Sequence, residues 1–197
     1  MKRRQLLLSS AALAASWSAP ALARTACSPY YPNGMQQCES GIDSAMAYIS
    51  PQGNSQWCWA ACIQMIFRYY GYNVPQHRIV AETWGGIVNM PAQPRQILAN
   101  LNREWRDDNG RRFGASADMS TANPITAAQD LAQNQPLVIG TMGHAMVLTS
   151  LVYARAPNGG GEVVSATVRD PWQDRGRRTL SAQEWYQTSF LARVRVG

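Results

Sequence analysis

A cysteine, a histidine and a carboxylate, spread over more than half of this 197-residue chain, are the residues best placed by type and position to do chemistry. Cys58 falls in the first turn of a segment, Trp57 to Tyr70, whose apolar pattern predicts a buried helix. Unpaired backbone N–H groups and the helix dipole favour negative charge there. A thiol so placed has a lowered pKa and a larger share of thiolate, the nucleophilic form. The competing reading is a small core hydrophobe, the commonest fate of a free cysteine. Of the two histidines, His77 lies beside Arg78 on the outer part of a predicted helix and reads as a surface residue. His144 follows Gly143 at the entry to the apolar run Ala145-Met146-Val147-Leu148, a rigid element of the kind a Cys–His pair needs for its base.

The third member should fix the imidazole tautomer. Asp170, in Arg169-Asp170-Pro171-Trp172, ends the strand predicted after His144. Alone it would read as the start of an Asp-Pro bend. If the two strands form a hairpin about Pro157-Asn158-Gly159-Gly160-Gly161, their open ends bring His144 and Asp170 together. Gln52 lies six residues before Cys58, and its amide with the Cys58 N–H would make an oxyanion hole for a tetrahedral intermediate. Gln56 is the alternative donor. The chemistry these residues spell is thiolate attack on a carbonyl, and it calls for no cofactor.

The other cysteines have other expected fates. Cys62 is one turn along from Cys58, where Cβ atoms sit about 5–6 Å apart; a disulfide needs about 3.5–4.5 Å. The two should stay unbonded, with Cys62 a core residue. Cys-x3-Cys with two scattered histidines is a poor zinc pattern, so no metal site is expected. Cys27 and Cys38 flank a ten-residue loop (SPYYPNGMQQ) that a disulfide could staple. Trp57, Trp59 and Trp172 are candidates for the walls of a cleft, or equally for plain packing.

The elements that must position these residues follow from periodicity. In the segment from Trp57 to Tyr70 only Gln64 and Arg68 break the apolar run, four apart on one narrow stripe, and Gly71 supplies a stop. A second helix is predicted from Pro75 to about Gly85-Gly86, a third from about Arg95 to Trp105 with Ile97, Leu98, Leu101 and Trp105 on one face, and a fourth from Pro124 through Gln133. Leu137 to Gly140, Ala145 to Tyr153, Val163 to Val168 and Leu191 to Val196 read as strands, with a short helix near Ala182 to Tyr186. Helices first and antiparallel strands afterwards predict an α+β domain in two packed halves.

The first 23 residues read as an export signal: Lys2, Arg3 and Arg4 form a basic n-region, an apolar stretch runs from Leu6 to Leu13, and Ala21-Leu22-Ala23 offers a cleavage site. Arg3-Arg4 also fits a twin-arginine signal, and the general secretory and twin-arginine routes stay open. The apolar stretch is short for a membrane span, so the mature chain is expected to be periplasmic or secreted, from a bacterial source, without a span. Residues 24–50 read as irregular and 51–197 as one catalytic domain. The net charge of +6 includes three residues of the signal, and every other basic side chain is a scattered arginine. Arg175, Arg177 and Arg178 make the one dense cluster and read as a solvated loop; no basic stripe with interleaved aromatics marks a nucleic-acid partner.

The pattern Gln52-x5-Cys58-Trp59-Ala60-Ala61, then Gly143-His144, then Asp170-Pro171, resembles the papain-like cysteine peptidases, and is most similar to the bacterial branch that includes the AvrRpt2-type and C39-like families. The resemblance spans about Gln52 to Trp172. It implies a papain-like fold, a peptide or protein substrate, Cys58 as nucleophile, His144 as general base and acid, Asp170 as orienter and Gln52 as oxyanion donor. Plant papains carry Asn as orienter where this chain has Asp. Acyl transfer or deamidation on the same residues, or a non-catalytic binding module on the same frame, are the rival expectations.

Overall fold

In the computed structural model, which describes residues 25–43, 49–120 and 123–197, helices gather early and strands late, an α+β fold. The expected export signal lies outside the described residues. Helix α1 (Cys58–Tyr69) is buried on nearly all sides, with Arg68 exposed and Gln64 half-buried on the outward stripe. Its apolar side chains meet α2 (Gln76–Trp84) and α3 (Pro94–Asn100) in one cluster with Val138, Ala145, Val147, Ala192 and Val194. Among the described residues no helix is long and apolar enough to cross a membrane.

The sheet is antiparallel at every pairing. Its main path runs β1 (Thr25–Cys27), β2 (Gln36–Gly41), β6 (His144–Arg155), β5 (Leu137–Thr141), β9 (Thr188–Val196), β4 (Arg112–Ser120) and β3 (Arg103–Arg106). Strand β7 (Gly161–Asp170) pairs with β6 and with β8 (Gly176–Thr179). The central strands are apolar at successive positions because both faces are covered. Val138 faces the cluster with α1–α3, whereas Leu137, Ile139, Met146 and Leu148 face a second cluster with Leu131 of α4 (Pro124–Ala132) and Trp185 of α5 (Ala182–Tyr186).

Three expectations are corrected. Residues 24–50 are not irregular throughout: β1 and β2 extend the sheet, with β2 paired along the far half of β6. The Cys27–Cys38 disulfide joins directly opposed residues of that hairpin. Closing so short a loop contributes about 3 kcal/mol on the chain-entropy account. The third helix ends at Asn100 rather than near Trp105. The Asn102 amide captures the backbone of Ala117, donating to its carbonyl at 2.8 Å and accepting from its N–H at 2.9 Å, which turns the chain into the sheet. Trp105 reaches the same core from β3, edge-on to Phe67 at 5.4 Å, so a helical face was read where a strand alternates. The arginine cluster is only partly a solvated loop: Arg175 stands exposed in a turn, but Arg177 and Arg178 lie in β8, paired with β7.

Candidate active site

Cys58 opens α1 with no side-chain cap on the helix, which leaves first-turn N–H groups free to act on whatever lies there. The His144 side chain and the backbone N–H groups of Ala145 and Trp59 face the sulfur and favour its ionised form. Burial works to raise the thiol's pKa; the bonds from His144 and Ala145, the charge on His144 and the bond from Trp59 outweigh it and hold it below the ordinary thiol value.

His144 begins β6 straight after a two-residue hairpin turn, Met142-Gly143, with φ of 51° and 75°. Both angles lie in the left-handed region that such a turn demands, a region easy for Gly143 and costly for Met142. The turn delivers the ring to the N-terminus of α1. Across the hairpin, Asp170 ends β7, fully buried, with Oδ1 2.7 Å from His144 Nε2. Nε2 being engaged by Asp170, Nδ1 is the nitrogen left for the thiol. The Trp172 N–H also donates to Oδ1, at 2.9 Å, and Arg178 Nε donates to Oδ2 at 2.7 Å. Burial would push the Asp170 carboxyl up, but His144, Trp172 and Arg178 bring it down to about 2. Burial would likewise depress His144; the bonds to Asp170 and Cys58 and their charges push it up to about 9. Trp172 stands edge-on to the imidazole, ring centroids 5.9 Å apart, and is itself half exposed.

Gln52 sits on the approach to α1. Its backbone N–H donates to Pro171 O at 2.7 Å, which ties this segment to the chain just after Asp170. Its Nε2 donates to the carbonyls of Asn54 and Ser55 at 2.8 and 2.9 Å, so both amide hydrogens are engaged, and Oε1 is buried without a partner. Gln76, absent from the sequence reading, steadies the same segment: its Oε1 accepts from Gly53 N–H, and its Nε2 donates to Ser50, Pro51 and Gln64. No spacing signal marks it, because its partners are backbone and distant side chains.

Two grooves meet at the Cys58–His144 pair. One, about 210 Å³, is mainly apolar, lined by Trp59, Ala92, Ile97, Ala145 and Phe190. The other, about 510 Å³, is lined by Gln56, Met142, Met146, Trp172 and Arg175. Trp59 lines the first groove and Trp172 the second. Trp57 lines neither: it is buried, and its indole N–H donates to Val88 O at 2.8 Å, as that of Trp59 does to Met90 O at 3.1 Å. The two tryptophans beside Cys58 thus pin the loop that forms one bank of the apolar groove. Cys62 is a fully buried free thiol, its pKa raised by burial and by the charges of Cys58 and Asp170. His77 is exposed on α2. Among the described residues no three His, Cys, Asp or Glu side chains gather as a metal-holding group.

Residues 42–195 match the Peptidase_C39 like family. No curated protein matches the chain. Among solved structures, the peptidase domain of Streptococcus ComA, a bi-functional ABC transporter involved in a quorum-sensing pathway, is similar with a TM-score of 0.52 at 13% identity, covering 77% of this chain and 98% of that one. A double glycine motif protease from an AMS/PCAT transporter, in complex with the leader peptide, is similar with a TM-score of 0.50 at 16% identity, covering 79% of this chain and 96% of that one. At these identities the likeness is one of fold. The C39-like part of the sequence resemblance is the part that the family match carries.

Proposed function

The chain belongs to the Peptidase_C39 like family of cysteine peptidases, and on that premise we propose that it hydrolyses peptide bonds through Cys58, His144 and Asp170. The observation that carries this reading is the His144 imidazole, bonded to the buried Asp170 carboxylate, standing beside the Cys58 thiol in one cleft at the uncapped start of α1. The Cys58 thiolate attacks the carbonyl carbon, and the Cys58 N–H with the Gln52 amide holds the oxyanion. His144, protonated by the ion pair, gives its proton to the leaving amine; it then takes one from the water that releases the acyl-enzyme. The substrate is a peptide or protein segment laid extended across both grooves, and the Cys27–Cys38 disulfide supports an oxidising compartment, periplasmic or extracellular, after export by residues 1–23. A diverse peptide library incubated with the protein and read by mass spectrometry is expected to show new termini with one water added. Products extended by an added amine instead would move the reading to acyl transfer, and no products at all would sink it.

The oxyanion assignment has its own test. For Gln52 to reach a developing oxyanion it must release one of its bonds to Asn54 or Ser55, whereas Gln56 already lines both grooves. Gln52→Ala is expected to lower kcat roughly 10²-fold, the usual loss for one oxyanion donor, with KM little changed. Gln56→Ala should cost only a few-fold. The reverse order of the two losses would transfer the role to Gln56.

A further inference from the structure

Asp170 has two oxygens, and the chemistry proposed above uses one. Oδ1 faces His144 and the Trp172 N–H, while Oδ2 is taken by Arg178 Nε at 2.7 Å. The other two nitrogens of the same guanidinium bond Glu184, at 2.6 and 3.1 Å. Glu184 is in turn held as the third residue of α5 in a reciprocal capping box with Ser181, whose N–H donates to it at 2.8 Å. Arg178 rides on β8 opposite Val168 of β7, the strand that carries Asp170, so clamp and carboxylate are built on one ladder.

We propose that Arg178, its charge offset by Glu184, is a positioning residue that locks the Asp170 carboxylate with Oδ1 on His144. A carboxylate held at one oxygen can rotate; one held at both by rigid donors cannot, and misplacing a reacting group by about an ångström costs about 10²-fold in rate. The charges alternate along the series: His144 positive, Asp170 negative, Arg178 positive, Glu184 negative. A bare cation at Arg178 would draw the Asp170 charge away from the imidazolium. Glu184 offsets that pull, so the clamp fixes geometry without weakening the ion pair. The other ionisable groups that face this series are Cys58 and Cys62 on α1 and Arg175, which stands 3.9 Å from Oδ2 and is half exposed. Arg169 and Arg177 are opposed to each other one position along the β7–β8 ladder, where alternation turns them to the other face.

The inference rests on the peptidase reading for its kinetic arm alone, and four substitutions test it. Arg178→Met is expected to lower kcat roughly 10- to 100-fold with KM nearly unchanged, and Arg178→Lys to recover part of that loss. Introduced into Asp170→Ala, Arg178→Met should cost nothing more, since it acts through that carboxylate. Glu184→Gln should lower the titration midpoint of the His144 ring, followed by NMR, from about 9 by roughly half a unit or more. Losses that multiply in the double variant, kcat of Arg178→Met within twofold of the parent, or an unmoved His144 midpoint with only a lower Tm would overturn the proposal and leave a structural ion pair. Should Arg178→Met fail to fold, the Lys and Gln variants decide it. A moved midpoint in a chain that hydrolyses no peptide would sink the peptidase reading and leave the clamp standing.

Discussion

Alanine at Cys58 is expected to abolish peptide hydrolysis, a fall on the order of 10⁶-fold in kcat, the size seen when the nucleophile is removed from a serine protease. Serine should do little better. A hydroxyl does not ionise beside an imidazole as a thiol does, so the share that Cys58 adds to Asp170 in raising His144 would be lost with the sulfur. Labelling by a thiol-directed inhibitor supplies the second readout. Cys27 and Cys38 are bonded to each other, and Cys62 is fully buried with its pKa raised by burial. Rapid labelling of the folded protein should therefore be confined to Cys58 and vanish in both variants. Neither change should unfold the chain, because Cys58 is only partly buried at the edge of its cluster. Activity retained in Cys58→Ala would end the mechanism; labelling that persists would point to Cys62 and to a helix that opens.

Local signals made the helices that carry the site readable. The nearly all-round apolar pattern of α1, broken only at Gln64 and Arg68, states that it is buried, and the glycine after α2 adopts the left-handed conformation its stop requires. The hairpin between β6 and β7 was readable too, from the glycine-rich turn and the Asp-Pro stop, and hairpin topology alone predicts that His144 and Asp170 meet. What could not be read depends on partners distant in sequence. Trp105 has the spacing of a helical face, and only the Ala117 backbone, captured by Asn102, makes its segment a strand. Arg178 looked like one of three solvated arginines because the buried carboxylate it bonds is placed by the fold of β7 against β8 and not by any motif. Of its surroundings, Ser181-x-x-Glu184 was the one readable sign, since a capping box fixes the glutamate that the arginine meets. Trp57 failed as a wall residue for a related reason: its ring is buried in the core and its indole found a partner 31 residues away, Val88.

Removing the Asp170 carboxylate is expected to change both the rate and the pH range in which the protein works. Asp170→Ala should lower kcat about 10⁴-fold, the order of loss seen when the orienting acid is removed from a serine-protease triad. It should also pull the alkaline limb of kcat/KM, set near 9 by His144 in the intact chain, down toward the ordinary imidazole range near pH 6.5, because burial then depresses the ring without a carboxylate to oppose it. Asparagine should be milder. The Oδ1 position accepts from both His144 and Trp172, and Oδ2 from Arg178 alone, so an amide would turn its oxygen toward the imidazole and set its NH2 against the Arg178 Nε–H. Asp170→Asn is therefore expected to keep roughly tenfold or more of the activity lost in Asp170→Ala, one step of about 1.4 kcal/mol, while giving up the Arg178 bond. Stability follows the same groups with opposite signs. His144, raised in the fold from 6.5 to about 9, contributes fully below pH 6.5, and that contribution fades as pH rises through 9. Asp170, depressed from 3.8 to about 2, contributes above 3.8 and is lost as pH falls through 2. The intact protein should thus hold a flat Tm across mildly acidic pH and weaken toward both extremes, and Asp170→Asn should blunt both slopes at once. Thermal melts of the two chains from about pH 2 to about pH 10 read this directly: two unchanged slopes would mean that the imidazolium and the carboxylate do not form the pair that the proposed mechanism requires.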